Sequence, residues 1–120
     1  VCIIGSGPTG LVAIWHLSQI ADVVCFELKS HVGGLWNSLD DTPDVFVDQH
    51  GYTLESIYEE LVSIVPSVFM TFKDFSYQGE NSHMTWSEFE EYLNKYATQF
   101  ELLKYIQFNT FVTEITKEGS

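Results

Sequence analysis

The sequence contains no arginine, and its five basic residues are all lysines (Lys29, Lys73, Lys95, Lys104 and Lys117) against 17 acidic side chains, a formal net charge of −12. No dense basic stripe exists to displace counterions from phosphates, which speaks against a nucleic-acid partner. It speaks equally against docking on an anionic membrane through a polybasic patch. No apolar run approaches the roughly 20 residues a membrane span needs. Signal-peptide character is missing too, because Val1 to Ile4 lead at once into a glycine-rich turn with no charged leader. Cysteine is scarce: Cys2 and Cys25 lie in apolar, strand-like runs, so buried reduced thiols are expected in preference to a disulfide, as in an intracellular protein. The four histidines, His16, His31, His50 and His83, are scattered without metal-ligand spacing, and no metal is assigned. The sequence also lacks a starting methionine and opens directly in a strand-like run, as a piece of a longer chain would.

What is present is globular. Over 120 residues, 45% are hydrophobic and 15% aromatic, unlike a disordered acidic tail. That length suits one domain. Charge is divided unevenly, for residues 1–36 hold only two acids, Asp22 and Glu27.

Val1-Cys2-Ile3-Ile4 has the short apolar form of a strand buried on both faces. After Gly5-Ser6-Gly7-Pro8-Thr9-Gly10, residues 11–20 read as a helix whose packed face carries Leu11, Ile14, Trp15 and Leu17. Val23 to Glu27 is a second β-rich run closing on an acid. Strand, glycine turn, helix and strand make a βαβ unit. Residues 28–51 look irregular. A helix is expected from Thr53 or Glu55, with Leu54, Ile57, Tyr58, Leu61 and Val65 at helical spacing, and Pro66 ends it. Val68 to Phe72 suggests a short strand, and Lys73 to His83 a polar loop. Thr85-Trp86-Ser87-Glu88 has capping-box spacing, followed by a stripe of Trp86, Phe89, Leu93, Tyr96 and Phe100 expected to be core. Ile106 to Phe108 and Phe111 to Ile115 alternate like strands. The fold class is therefore α/β: a Rossmann-like βαβ dinucleotide-binding domain with a parallel sheet, truncated, plus inserted helices.

Gly5-x-Gly7-x-x-Gly10 falls after a strand and at the opening of a helix, where a dinucleotide site needs it. The first glycine permits the tight turn, the second lets backbone approach a pyrophosphate, and the third allows close helix-to-strand packing. Free N–H groups and partial positive charge at the helix N-terminus then face the phosphates. Glu27 lies 22 positions beyond Gly5, near the offset of about 20 at which an acid hydrogen-bonds a ribose hydroxyl. A carboxylate there repels a phosphorylated ribose, so FAD or NAD fits better than NADP. Gly33-Gly34-Leu35-Trp36 is a second signal, paired glycines that let another backbone segment close on the cofactor. The acidic pairs Glu59-Glu60 and Glu90-Glu91 read as solvated helix faces.

At these residues the chain resembles the flavin-containing monooxygenases, FAD- and NADPH-dependent N- and S-oxygenating enzymes. The likeness runs through Val1 to Leu11, Cys25-Phe26-Glu27, Val32 to Trp36, Ser56-Ile57-Tyr58, Phe69 to Phe75, Glu91-Tyr92-Leu93 and Leu102 to Val112. It is weakest between Asn37 and Thr53. The resemblance implies that Gly5, Ser6, Gly7, Pro8, Thr9 and Gly10 hold the FAD pyrophosphate, that Glu27 binds the adenosine ribose, and that Gly34, Leu35 and Trp36 lie along the cofactor. Trp36 then packs either near the flavin or as an ordinary core tryptophan. The implied parent reaction reduces FAD with NADPH, forms a flavin hydroperoxide with oxygen and transfers one oxygen atom to a small soft nitrogen or sulfur nucleophile. In such chemistry the cofactor performs the transfer, so no catalytic side chain is assigned.

Three departures accompany the matches. Leu28 stands where the family usually has a basic residue directly after the ribose acid, with Lys29 one position later. Ile64 occupies the place of an asparagine that helps hold the flavin, NADPH and oxygen adduct, and isoleucine has no donor or acceptor. Ser76 and Tyr77 replace the prolines that typically follow the Asp-Phe pair. Residues 1–120 are accordingly expected to be the FAD-binding portion of a longer chain, inactive alone, with the NADPH-binding domain absent. The alternatives are a non-oxygenating FAD or NAD oxidoreductase of the same fold, or an inactive nucleotide-binding or interaction module.

Overall fold

The structure, a computed structural model, describes residues 1–36 and 60–117. Strand β1 (Cys2–Ile4) leads through the glycine turn into helix α1 (Pro8–Ser18), which returns the chain to strand β2 (Val24–Phe26). A 3₁₀ turn follows at Gly34–Trp36, then a short helix α2 (Ser67–Met70), the long helix α3 (Trp86–Gln99), a second 3₁₀ turn (Leu102–Tyr105) and strand β3 (Ile106–Gln107). The three strands form one parallel sheet in the order β1-β2-β3. Ile3 lies opposite Cys25, and Cys25 opposite Ile106. This is the Rossmann-like βαβ arrangement expected from the sequence, with inserted helices and a short sheet.

Helix α1 begins three residues earlier than its apolar spacing suggests, because Pro8 at its first turn already has the helical φ and needs no N–H partner there. Leu11 and Ile14 are fully buried against the sheet, each contributing roughly 1.5–3 kcal/mol relative to exposure. Helix α3 opens with the expected capping box: the Thr85 hydroxyl accepts from Glu88 N–H, and the Glu88 carboxylate accepts from Thr85 N–H. Phe89, Leu93 and Tyr96 are buried, joined by Tyr92 and Ala97 and with Phe100 packed against them, so most of the stripe is core; Trp86 is half-buried and stands outside that cluster.

Several expectations need correction. Residues 68–72 are not a strand: α2 turns there after Pro66, and the main chain is satisfied locally and from afar. Phe69 N–H donates to Pro66 O and Ser67 N–H to Ser82 O, while Phe72 N–H donates to the Tyr92 hydroxyl. Leu61 to Val65 are not helical either. Leu61 O accepts from Trp86 N–H, Ser63 N–H donates to Met84 O, and Val62 bridges Thr85 in antiparallel fashion. The remainder of that expected helix, residues 53–59, lies outside the described residues, as do Ser56, Ile57, Tyr58, Glu59 and His50. Residues 111–115 do not form a strand, and Phe111 and Ile115 are exposed. Cys2 is exposed, whereas Cys25 is buried; both are free thiols. The difference arises because β1 is an edge of the described sheet, while Cys25 sits in its middle strand. Among the described residues no helix is long and apolar enough to cross a membrane, and no cluster of His, Cys, Asp or Glu side chains has metal-site geometry.

Candidate functional site: a glycine turn closed over a buried glutamate

The site is assembled at the carboxyl ends of β1 and β2, where ligands bind in open α/β sheets. Gly5 has φ +86°, a conformation that side chains other than glycine rarely adopt. Its N–H donates to Phe26 O at 2.8 Å, tying the turn to the end of β2. Gly10 is fixed by contact: a Cβ there would stand 2.0 Å from Gly5 O. The third glycine therefore lets α1 press on the turn, as the motif predicts. The first i→i−4 bond of α1 runs from Leu11 N–H to Gly7 O at 2.9 Å, so the Thr9 and Gly10 N–H groups precede it at the open end of the helix. No acidic side chain lies in the first turn of α1, and the partial positive charge of its N-terminus is left for an anion.

Glu27 is 4% exposed. Its Oε2 accepts from Ser6 N–H at 2.6 Å and from the Ser6 hydroxyl at 2.7 Å, and its Oε1 accepts from Lys29 N–H at 2.8 Å. A carboxylate has about four acceptor positions, so Oε1 retains one for a further donor. The backbone of Glu27 is pinned as well, its N–H donating to Gln107 O and its O accepting from Thr110 N–H. Together with Ile4, Gly5, Phe26, Leu28, Thr110, Phe111 and Val112, Glu27 lines a cleft of about 180 Å³.

The second glycine segment reaches the first. Gly33 N–H donates to Ser6 O at 3.0 Å, and Gly34, with φ +62°, passes so near Gly7 that a Cβ on it would lie 3.1 Å from the Gly7 Cα. Sequence spacing suggests that approach, and the structure brings Gly5, Ser6, Gly7, Glu27 and Gly34 together. Pro8 and Thr9 open α1, with Thr9 exposed. Leu35 is 60% exposed. Trp36 is half-buried, its ring 4.7 Å from Phe89 of α3 in an edge-on contact. Ile64 is 94% exposed.

Sequence reasoning missed Asn109, Thr110 and the role of Lys29. Asn109 adopts φ +54°, a left-handed conformation that asparagine tolerates, and donates its N–H to Lys29 O. The Asn-Thr pair directly after a β-like run was the available signal.

A dinucleotide requires backbone free of Cβ atoms beside its pyrophosphate, donors at a helix end, and a carboxylate with acceptor capacity at the end of the second strand. The close Gly7–Gly34 approach, the open end of α1 and the remaining acceptor on Glu27 meet those needs, so the residues present fit FAD.

The fold and turn define a dinucleotide-binding protein of the Rossmann-like kind. The match is more specific than that: residues 1–120 match the FMO-like family, flavin-binding monooxygenase-like, and the chain belongs to it. It is 38% identical to flavin-containing monooxygenase 3 of Rattus norvegicus over 119 residues, which cover 98% of this chain and 21% of that protein. It is 37% identical over the same length to the human putative dimethylaniline monooxygenase [N-oxide-forming] 6, with 98% and 21% covered. The chain thus spans about a fifth of the curated relatives it matches. In fold it superposes on S-allyl-L-cysteine S-oxygenase from Allium sativum with a TM-score of 0.74 and 24% identity, covering 90% of this chain and 27% of that one.

Proposed function

We propose that the chain is the FAD-binding portion of a flavin-dependent, NADPH-using monooxygenase acting on small soft nitrogen or sulfur nucleophiles. The observation that carries the reading is the closure of the Gly33–Gly34 turn onto Gly7, directly beside a buried glutamate at the end of β2. When bound, FAD supplies the redox chemistry that joins oxygen to the nucleophile at the expense of NADPH.

The protein's share is binding and orientation. Gly5, Ser6, Gly7, Pro8, Thr9 and Gly10 form the turn and helix opening that receive the pyrophosphate. Glu27, held rigid by Ser6 and Lys29 N–H, directs its remaining acceptor to a ribose hydroxyl. Gly34 and Leu35 border the cofactor, the exposed face of Leu35 offering apolar cover. Trp36 supports that segment from below through Phe89. NADPH belongs to the longer parent.

Ile64 favours a second reading, a flavin-binding oxidoreductase that does not oxygenate. An exposed isoleucine donates no hydrogen bond to a cofactor or its oxygen adduct.

The experiment is direct. The purified protein, titrated with FAD, is expected to acquire a flavin absorption band and quench flavin fluorescence, with Gly7→Ala binding more weakly. A colourless protein that takes up no added FAD would sink both readings. A full-length parent that oxidises NADPH yet transfers no oxygen to a sulfide or tertiary amine would favour the second.

A further inference from the structure

We propose that Lys29 is a positioning residue of the dinucleotide site, whose buried ammonium holds the Gly33–Gly34 turn closed on Gly7. Lys29 is 7% exposed, an unusual state for a lysine. Its Nζ donates to Gly34 O at 3.3 Å, and among the described residues that carbonyl is its hydrogen-bonding partner. Among the described residues no ion pair accompanies it there, although a carboxylate lies two positions away. Glu27 is engaged by N–H and hydroxyl groups instead: Ser6 on one oxygen, and the main-chain N–H of Lys29 itself on the other.

This residue therefore ties three parts of the site. Its N–H orients the Glu27 carboxylate, its O accepts from Asn109 N–H at 3.1 Å, and its side chain reaches five residues onward to the glycine turn. The turn needs such a tie. Gly34 sits at φ +62° with its Cα packed on Gly7, and Gly33 N–H donates to Ser6 O of the first glycine turn. Glycine in such a turn loses much backbone entropy on ordering. A charge-assisted bond to its carbonyl offsets that loss more than a neutral one would. Leu28 lines the cleft while its neighbour Lys29 takes the buried direction.

The test compares the protein with Lys29→Met, which keeps the length and loses the donors, and with Lys29→Arg, which keeps charge and donors. Amide hydrogen exchange is followed in the ligand-free protein. Exchange at Gly33 and Trp36 N–H is expected to accelerate roughly tenfold or more in Lys29→Met, with α3 amides unchanged and the arginine variant close to the parent. Lys29→Gln, with one uncharged donor, gives the same comparison if the methionine variant does not fold. FAD dissociation is expected to rise by a similar factor, and this part alone rests on the flavin-binding reading. Unchanged exchange at Gly33 and Trp36 overturns the proposal, as does equal acceleration throughout α3. Failure of the parent protein to take up FAD overturns the flavin reading instead, and the exchange comparison still decides the role of Lys29.

Discussion

The Ser6 hydroxyl donates to Oε2 of Glu27 at 2.7 Å, with Ser6 fully buried and the carboxylate almost so. The bond joins the glycine turn after β1 to the acid that ends β2, 21 residues away. It does so beside a second bond from Ser6 N–H to the same oxygen. The acid proposed to face the ribose is thus oriented by the loop proposed to receive the pyrophosphate, and the two halves of that proposed site share one frame.

Ser6→Ala removes the hydroxyl and spares the main-chain bond. A hydrogen bond to a charged group contributes about 1.5–3 kcal/mol, so urea unfolding is expected to show a loss in that range, tempered toward its lower end because Oε2 keeps one donor. FAD affinity should fall as well. Wild-type stability in Ser6→Ala would mean that the backbone bond alone orients Glu27.

The motif glycines separate folding from binding. A Cβ at position 10 would meet Gly5 O at 2.0 Å, a clash that only a shift of α1 relieves, and overpacking of this kind costs roughly 1–3 kcal/mol or more. A Cβ at position 7 would lie 3.6 Å from the Gly34 Cα, an ordinary contact, and φ there is −67°. Gly10→Ala is therefore expected to lower the thermal midpoint clearly. Gly7→Ala should melt close to the parent and still bind FAD less well. Equal melting of the two variants would contradict the geometry.

Features written in local chemistry were legible in the sequence. The βαβ unit, the glycine triplet with Glu27 and the Thr85–Glu88 capping box depend on residues within a turn or on spacing that a strand and helix enforce. Residues 61–72 were not, because apolar side chains in a row fit a helix, a strand or a turn. There the outcome is set by partners far along the chain: Ser82 for Ser67 N–H, the Tyr92 hydroxyl for Phe72 N–H, and Met84 and Trp86 for the segment before Pro66. In the site itself, Gly5, Gly7, Gly10, Glu27 and Gly34 came from motif spacing. Lys29 and Asn109 did not: Asn109 bonds through its main-chain N–H, with only the Asn-Thr pair as a signal, and the Lys29 ammonium reaches a main-chain carbonyl, a partner that side-chain spacing does not report. Cys2 failed as a buried thiol because a strand's apolar character says nothing about whether it forms an edge.

The capping box makes stability depend on acid. Hydrogen bonding from Thr85 N–H, then from Tyr77, Asn81 and the Thr85 hydroxyl, holds the Glu88 carboxyl below the usual glutamate range, against the opposing effect of burial. A carboxyl lowered on folding contributes stability that is present above its unfolded pKa and lost as pH falls through the folded value. The difference in stability between the protein and Glu88→Gln is therefore expected to be fully present near neutrality and to shrink on acidification below about pH 5. Thr85→Ala, which removes the cap acceptor, should cost about 1 kcal/mol at neutral pH. Chemical denaturation at a series of pH values checks both, and a pH-independent gap between the protein and Glu88→Gln would count against the bonded carboxylate.

The two thiols should differ in reactivity by virtue of their strands. Burial, followed by the negative charges of Glu27 and Cys2, pushes the Cys25 thiol up to about 11, and its side chain is fully buried in the core cluster. Cys2 is exposed at the start of the edge strand. Since the thiolate is the reacting species and access limits the rate, a disulfide reagent at pH 8 is expected to label one thiol per chain rapidly in the native protein. The second should react only as the chain opens, at a rate that rises with denaturant. Peptide mapping identifies the labelled position. Rapid native labelling of Cys25 would show that the middle strand is open to solvent, and with it the βαβ core on which the glycine turn rests.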